Sequence, residues 1–272
     1  MRRLLIALFA VASFCQIAQG ATQSFMPENT LSDEDYLWSD GEYGINETIF
    51  NKVANDIYNI YKPIVKNLGG NLVMHLDWRD STINAYADRN DGNWNISFFG
   101  GLARRKEIDK DGLGFALVVC HELAHHIASV PLYTGDDWAA IEGQSDQVGV
   151  QVCMQKYLAG TTKNVSSLSS YAVNKCKAAY SGQRLRECYN QMVSAKSCSD
   201  LLASLNRETV SFETPSKVVV RRTMESHPPA QCRLDTYVAG ITCKKQWDDS
   251  VLPSWSDESK YNCERPRCWY AP

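Results

Sequence analysis

The stretch Cys120-His121-Glu122-Leu123-Ala124-His125-His126 decides the fold and carries three of the five histidines of the chain. It follows an apolar run, Leu113 to Val119, which predicts a buried helix that continues through the motif. On a helix, positions i and i+4 lie on one face, so His121 and His125 point the same way and Glu122 lies beside them. In HExxH proteins, two imidazoles in this arrangement hold a zinc ion and the adjacent carboxylate activates water.

Two acidic residues follow at helical spacing. Glu142 and Asp146 lie four residues apart on a second predicted helix, from about Asp137 to Leu158, with Asp136 or Asp137 as its N-cap. A short loop between the two helices makes a hairpin that brings both carboxylates to the histidines. The pattern H-E-x-x-H followed by E-x-x-x-D therefore predicts a metal site built from two helices.

The predicted site holds one Zn²⁺ with three protein ligands and an open position, as catalytic zinc requires. His121, His125 and Glu142 are the predicted ligands. Asp146, one turn further on, is predicted to accept the outer N–H of His121 and so to orient that ring. His126 is a poor ligand because it projects from the helix at a different angle from His125.

Three strand-like stretches precede the motif helix, at Asn71–Trp78, Ile83–Ala87 and Asn93–Phe99. The polar turn Arg89-Asn90-Asp91-Gly92 separates the last two, because Asn, Asp and Gly favour tight turns. Gly44 to Lys66 has apolar residues at helical spacing and predicts a helix that covers the core. Together these features predict an α+β fold of the zincin-like metallopeptidase type. A small antiparallel or mixed sheet packs on the HExxH helix, and a second helix carries a further ligand.

The first twenty residues have the features of a signal peptide. Arg2 and Arg3 give a basic start, Leu4 to Phe14 an apolar core, and Ala18-Gln19-Gly20 a small-x-small cleavage site. We expect a product that is exported to the periplasm or the extracellular space. No later apolar run approaches the ~20 residues needed to cross a bilayer, so no membrane anchor is expected after removal of the signal.

Composition divides the 272 residues into four parts. Residues 1–20 are the predicted signal peptide, and residues 21–42 are polar with little periodicity and predict a flexible segment. Residues 43–245 form the predicted zinc metallopeptidase domain, and residues 246–272 form a cysteine-containing tail. A net charge of −3, without a concentrated basic run, argues against a nucleic-acid partner.

Ten cysteines and an export signal together predict disulfides. Cys15 would leave with the signal peptide, and the odd number that remains leaves at least one thiol free. Cys120 is the predicted free thiol, because it lies on the apolar part of the motif helix and free cysteines are often buried. A short Cys263–Cys268 loop is one pairing that the spacing permits.

These features predict a zinc-dependent endopeptidase that acts on protein or peptide substrates. Zinc would lower the pKa of a bound water, and Glu122 would take a proton from that water and pass it to the leaving nitrogen. A metal-stabilised binding or chaperone-like module without turnover is an alternative from another class of function. A zinc hydrolase with a non-peptide substrate is a third.

Four blocks of the chain, taken in order, resemble the HtpX and CAAX-prenyl-protease type of gluzincin metallopeptidases, including the soluble, periplasmic BepA-like members. The blocks are Ile83-Asn84-Ala85-Tyr86-Ala87, His121 to His125, Glu142-Gly143-Gln144-Ser145-Asp146, and Ser226-His227-Pro228-Pro229 with Arg233 six residues after the histidine. The last block is the most specific, because it is unrelated to zinc ligation. The chain departs from the family in lacking the transmembrane helices of the membrane members and the helical repeats of the BepA-like proteins.

The resemblance implies the same metal ligands and base as above and adds residues around them. It implies that His227 or Arg233 lies near the cleft and donates to the oxyanion of the reaction. It also implies that Asn84 and Ala85 lie on an edge strand that pairs with the substrate backbone. By residue type alone, His227 also fits a polar side chain that caps the turn before Pro228, and Asn84 fits an ordinary turn-flanking asparagine.

Overall fold

A four-stranded mixed sheet lies beside the motif helix. The computed structural model describes residues 22–29, 31, 44–165, 167–245, 247–250, 260 and 263–272. The strands are β1 (Gln23–Ser24), β2 (Asn71–Asp77), β3 (Ala85–Asn90) and β4 (Asn93–Phe99), in the order β1-β3-β4-β2. The predicted signal peptide lies outside the described residues.

The predicted small sheet is confirmed, and it is mixed. β3 and β4 form an antiparallel hairpin, whereas β2 runs parallel to β4 on its other side. The hairpin turns at Asp91 and Gly92, whose φ angles are 47° and 78°, a left-handed conformation that Gly and Asp adopt more readily than most residues. A turn of two residues lets β3 continue to Asn90, beyond its predicted end at Ala87.

The first strand comes from residues 21–42, the segment predicted to be flexible. β1 pairs antiparallel with β3, with Gln23 opposite Ala87. Phe25 and Met26 follow, and both have zero exposure. Burying a side chain of this size contributes about 1.5–3 kcal/mol, which favours an ordered segment in spite of its polar neighbours. The prediction of flexibility is therefore wrong for β1 and the two residues after it.

The helices surround the motif helix, α3, whose residues are all buried. Its contacts include α1, α4, α7, β3 and β4, so it lies at the centre of the core. The helices are α1 (Glu47–Asn67), α2 (Gly100–Ala103), α3 (Leu113–Ile127), α4 (Glu142–Val148), α5 (Gln155–Tyr157), α6 (Ser170–Ala179), α7 (Gly182–Ser204) and α8 (Ala230–Ile241), with π-helical turns at Gly149–Met154 between α4 and α5.

The second predicted helix, which carries Glu142, begins later than predicted. Asp136, one of the two predicted N-caps, instead accepts hydrogen bonds from the backbone N–H groups two and three residues on, in a turn. Helix α4 begins at Glu142, after a stretch in which the Ala140 N–H donates to the His125 carbonyl at 3.0 Å. Glu142 is thus the first residue of its helix, where the free N–H groups and the helix dipole favour a carboxylate.

A disulfide between Cys120 and Cys153 joins α3 to the π-helical turns. The prediction that Cys120 is the free thiol is therefore wrong. In the described residues the free thiol is Cys198 on α7, which is buried and donates to the Gly114 carbonyl. Both cysteines lie buried in the core, so burial cannot tell them apart; what distinguishes them is whether a second cysteine lies opposite on the neighbouring helix.

Two further disulfides hold the C-terminal tail. Cys268 pairs with Cys232, and Cys263 pairs with Cys243, so the short Cys263–Cys268 loop considered from the sequence is wrong. Each tail cysteine bonds to a partner in or just after α8, which fastens the tail to that helix.

The disulfides also indicate the compartment. With Cys176–Cys188, four disulfides form in the described residues, and such bonds persist in oxidising surroundings, extracellular or periplasmic. None of the helices in the described ranges combines the length and the apolar character needed to cross a membrane.

Trp269 of the tail packs against Gly143, the residue after Glu142. An ideal Cβ on Gly143 would lie 2.2 Å from Trp269 Cδ2, a steric clash that forces the indole or the helix to shift. We expect Gly143→Ala to lower the free energy of unfolding by about 1–3 kcal/mol, the usual cost of overpacking a core, as measured by urea unfolding. Gly149→Ala is the matched control, because its Cβ would meet the Cys120 carbonyl oxygen only at 3.3 Å. Equal losses in both variants would contradict the prediction.

Candidate metal centre

His121 and His125 point their Nε2 atoms at each other from one face of α3. The two atoms lie 3.1 Å apart. The protein holds the Nδ1 atom of each ring: that of His121 lies 2.8 Å from Asp146 Oδ1, and that of His125 lies 2.6 Å from the Ala140 carbonyl and 3.0 Å from Ser145 Oγ. Partners at Nδ1 orient the imidazoles and leave both Nε2 atoms for a metal ion, as is usual for metal-binding histidines.

Glu142 brings a carboxylate to the same point. Its Oε2 lies 3.3 Å from His121 Nε2, and its Oε1 lies 3.6 Å from His125 Nε2. Ligand atoms at 2.0–2.1 Å from a tetrahedral ion lie about 3.3–3.4 Å from one another. The two imidazole nitrogens and the Glu142 carboxylate therefore have nearly the spacing of a tetrahedral site, with Oε2 near His121 and Oε1 near His125.

Glu122 lies beside the two histidines. His121, Glu122 and His125 form a buried group that can hold a metal ion, with ligand atoms within 4.8 Å of one another. Both Glu122 oxygens are buried without a hydrogen-bond partner among the described residues, which costs about 1–3 kcal/mol for a neutral group and more for a charged one. Native proteins keep such groups where an ion, a water molecule or a reaction uses them.

The charges of these four side chains depend on one another. Burial alone lowers the pKa of His121, but hydrogen bonds with Asp146 and Glu142 outweigh it and raise the pKa to about 9. Burial lowers the pKa of His125 to about 4 and raises that of Glu122 to about 8. Burial would also raise the pKa of Glu142, but the charge of His125 and the hydrogen bond with His121 hold it well below its usual value. A bound cation would compete with the protons on His121 and Glu122.

Arg233 lies behind His121 and holds Asp146. Its Nε and Nη2 atoms each donate to one Asp146 oxygen at 2.7 Å, and all three side chains have zero exposure. Burial would raise the pKa of Asp146, but the charge of Arg233 and the hydrogen bond with His121 lower it. Arg233 therefore positions a candidate ligand through Asp146, whereas the resemblance implied a role as an oxyanion donor.

His227 reaches the centre from a distant part of the chain. Its Nε2 lies 3.7 Å from Glu142 Oε2 and 2.8 Å from the carbonyl oxygen of Ser24. It therefore faces both a candidate ligand and a main-chain carbonyl, which is the kind of group that an oxyanion donor contacts.

Asn84 and Ala85 bind the backbone of Phe25 and Met26 and do not lie on a free edge. The Ala85 carbonyl accepts the Phe25 N–H at 3.1 Å. The Asn84 side chain accepts from the Met26 N–H and donates to the Met26 carbonyl. The prediction of an open edge strand is therefore wrong, because β1 covers that side of β3.

Tyr133 is a residue of the centre that the sequence did not indicate. Its hydroxyl donates to Glu142 Oε1 at 2.8 Å. Burial, together with the negative charge of Glu142, raises the pKa of Tyr133 well above its usual value, so the hydroxyl stays a donor. No spacing pattern connects a loop tyrosine with Glu142; the loop brings them together by closing on itself, with the Tyr133 N–H bonded to the Ala139 carbonyl.

His126 lies outside the centre, as predicted. Its ring stacks between Trp94 and Trp138, with ring centroids 5.4 and 4.8 Å away. Its Nδ1 accepts from Arg89 Nε, and its Nε2 lies 3.2 Å from the Asn95 carbonyl. His126 thus joins α3 to the β3–β4 hairpin.

Comparisons of the chain with protein-family models, with curated proteins and with solved structures find no match.

Proposed function

We propose that the protein is a zinc-dependent endopeptidase that is exported to an oxidising compartment, with a zincin-like arrangement of two ligand-bearing helices. One observation carries the proposal: His121 Nε2, His125 Nε2 and the Glu142 oxygens lie 3.1–3.6 Å from one another, beside the unpartnered carboxylate of Glu122. The resemblance of the four sequence blocks to HtpX-type gluzincins supports the same reaction. The signal-like start of the sequence and the disulfides support export.

The donor set favours zinc over other common metal ions. Two imidazole nitrogens and one carboxylate at nearly tetrahedral spacing suit Zn²⁺. Mg²⁺ and Ca²⁺ prefer six or more oxygen ligands, and imidazole is not among their usual partners.

Each residue has a distinct part in the proposed reaction. His121, His125 and Glu142 would hold the ion, which when bound would supply Lewis acidity toward a water and a carbonyl group. Glu122 takes a proton from the attacking water at its carboxylate and delivers it to the leaving amide nitrogen, and its lack of hydrogen-bond partners leaves both oxygens ready to do so. His227 donates to the carbonyl oxygen of the scissile peptide, as it does to the Ser24 carbonyl.

The complete burial of the centre favours a second candidate function. A metal that only stabilises a binding or chaperone-like module needs no access for a substrate, and the ligand side chains have zero exposure. Such a module would bind metal and lose stability on chelation, but it would hydrolyse nothing.

Metal analysis and chelation test the proposal. We expect the purified chain to contain one zinc ion and to cleave unfolded casein, because Glu122 and the three candidate ligands lie together. 1,10-Phenanthroline should abolish cleavage, and stoichiometric zinc should restore it. Bound zinc without cleavage of casein or of a peptide library would favour the binding module. A chain that binds no divalent metal would contradict both functions.

A further inference from the structure

The candidate metal centre is closed. The side chains of His121, Glu122, His125 and Glu142 have zero exposure. The proposed function requires an extended peptide to reach these residues, so some part of the covering structure must yield. Such an opening is needed only if the protein has the proposed peptidase function, and the inference rests on that function.

The cover includes β1 and the two residues after it, residues 23–26, which we call the N-terminal segment. The ring of Phe25 packs edge-on against that of His121, with centroids 5.2 Å apart. The Phe25 carbonyl accepts from Arg233 Nη1, and the Ser24 carbonyl accepts from His227 Nε2 at 2.8 Å. The N-terminal segment therefore lies directly against a candidate ligand and against both residues that the resemblance places at the cleft.

Besides the burial of Phe25 and Met26, backbone hydrogen bonds hold the N-terminal segment. It runs antiparallel to β3, where the Phe25 N–H donates to the Ala85 carbonyl at 3.1 Å. Both polar atoms of the Asn84 side chain bind the Met26 backbone, at 3.0 and 3.1 Å. Backbone pairing of this kind is open to any extended peptide, and it is the way in which peptides add to the edge of a sheet.

The sheet holds β1 weakly. The strand has two residues and lies at the edge of the sheet, whereas β3 is paired on both sides. A strand this short contributes few ladder hydrogen bonds, so it can leave β3 without breaking the hairpin with β4.

A cavity of about 900 Å³ adjoins Gln23, at the start of β1. Its walls include Arg89, Trp94, Tyr133 and Trp138. A peptide that replaces β1 and is longer at its N-terminal end would continue into this cavity. The space beside the segment is therefore sufficient for a substrate of several residues.

We propose that the N-terminal segment is a tethered ligand of the peptide-binding cleft, and that a substrate binds by taking the place of β1 on β3. The substrate class is an extended peptide with a bulky apolar side chain at the position of Phe25, because that side chain fills a fully buried space against His121. A short tether gives an effective concentration of about a millimolar. The segment therefore weakens the binding of an added peptide without changing the cleft.

The test measures peptide binding without turnover, in the full chain carrying Glu122→Gln. The probe is a fluorescein-labelled peptide with the sequence of residues 22–29, and its binding is followed by fluorescence anisotropy. Phe25→Pro in the chain removes both the N–H that pairs with Ala85 and the ring that covers His121. The probe should bind this variant at least about 10-fold more tightly than the chain with an intact segment, because the competing ligand no longer holds the cleft.

Matched controls separate displacement from general loosening. Thr22→Pro introduces a proline just before the paired strand β1 and should leave the affinity for the probe unchanged. A probe with Asp in place of its Phe should bind neither chain. Equal affinity of the probe for both chains, or no binding to a folded Phe25→Pro chain, would overturn the proposal.

The remaining outcome is that the variants do not fold. If Phe25→Pro does not fold, Phe25→Ala, which keeps the backbone N–H, takes its place in the same assay. If neither variant folds, β1 is an integral strand and the proposal is wrong. Because these measurements need no hydrolysis, they fail or succeed independently of the proposed peptidase activity.

Discussion

Replacing Glu122 with glutamine should lower kcat/KM for peptide hydrolysis by about 10²–10⁴-fold, the usual contribution of a general base. The amide has nearly the same shape but cannot take a proton from water. Neither oxygen of Glu122 has a hydrogen-bond partner in the described structure, so the change breaks no existing hydrogen bond. Cleavage of a fluorogenic peptide gives the rate, and elemental analysis gives the zinc content.

The zinc content of the variant distinguishes loss of the base from loss of the metal. The Glu122→Gln chain should retain its zinc, because His121, His125 and Glu142 are unchanged. Thermal unfolding of the zinc-loaded chain checks that the variant is folded. Hydrolysis at the wild-type rate with zinc still bound would show that Glu122 is not the base.

Replacing Glu142 with glutamine should instead remove the metal. We expect zinc affinity to fall by more than about 100-fold, beyond the 10–100-fold that loss of an outer-shell partner costs, because a neutral amide replaces the anionic ligand. Competition with a chromophoric chelator measures the affinity. Tyr133 can still donate to the amide oxygen, so the loop that carries it should stay in place.

The two glutamine variants control for each other. Both replace a carboxyl group by an amide on a side chain with zero exposure in the same centre, and they differ in whether the carboxyl group is proposed to bind metal or to move a proton. If Glu122→Gln loses zinc and Glu142→Gln keeps it, the ligands are His121, Glu122 and His125, and the assignment of Glu142 is wrong.

The histidine pair and its outer partner could be predicted because helix geometry is local. A four-residue spacing puts His121 and His125 on one face, whatever the rest of the chain does. The hydrogen bond between His121 and Asp146 followed once both were placed on adjoining helices, and it is present at 2.8 Å. Helix α4 begins at Glu142, five residues later than the predicted start at Asp137. Glu142 still lies near both imidazoles, because the loop between α3 and α4 is longer by those residues.

What could not be predicted depends on contacts between distant segments. The free thiol was assigned to Cys120 on burial, a property that Cys198 shares, and only the position of Cys153 on the facing turns decides the pairing. The N-terminal segment is too short for a periodic pattern, and its order comes from the burial of Phe25 and Met26. Tyr133 reaches Glu142 through loop closure, which leaves no signature in the sequence.

The Cys120–Cys153 bond has a consequence for how the centre assembles. Its ring closes over a separation of 33 residues, and between its two ends lie all the residues that carry the proposed chemistry of the ion: His121, Glu122, His125, Glu142 and Asp146. Closing a loop of this length removes about 4 kcal/mol of chain entropy from the unfolded state in the loop-entropy model. Toward the proposed ion, the oxidised chain would in this sense be a macrocyclic chelator, whose candidate ligands stay within one closed loop even when the helices are unfolded.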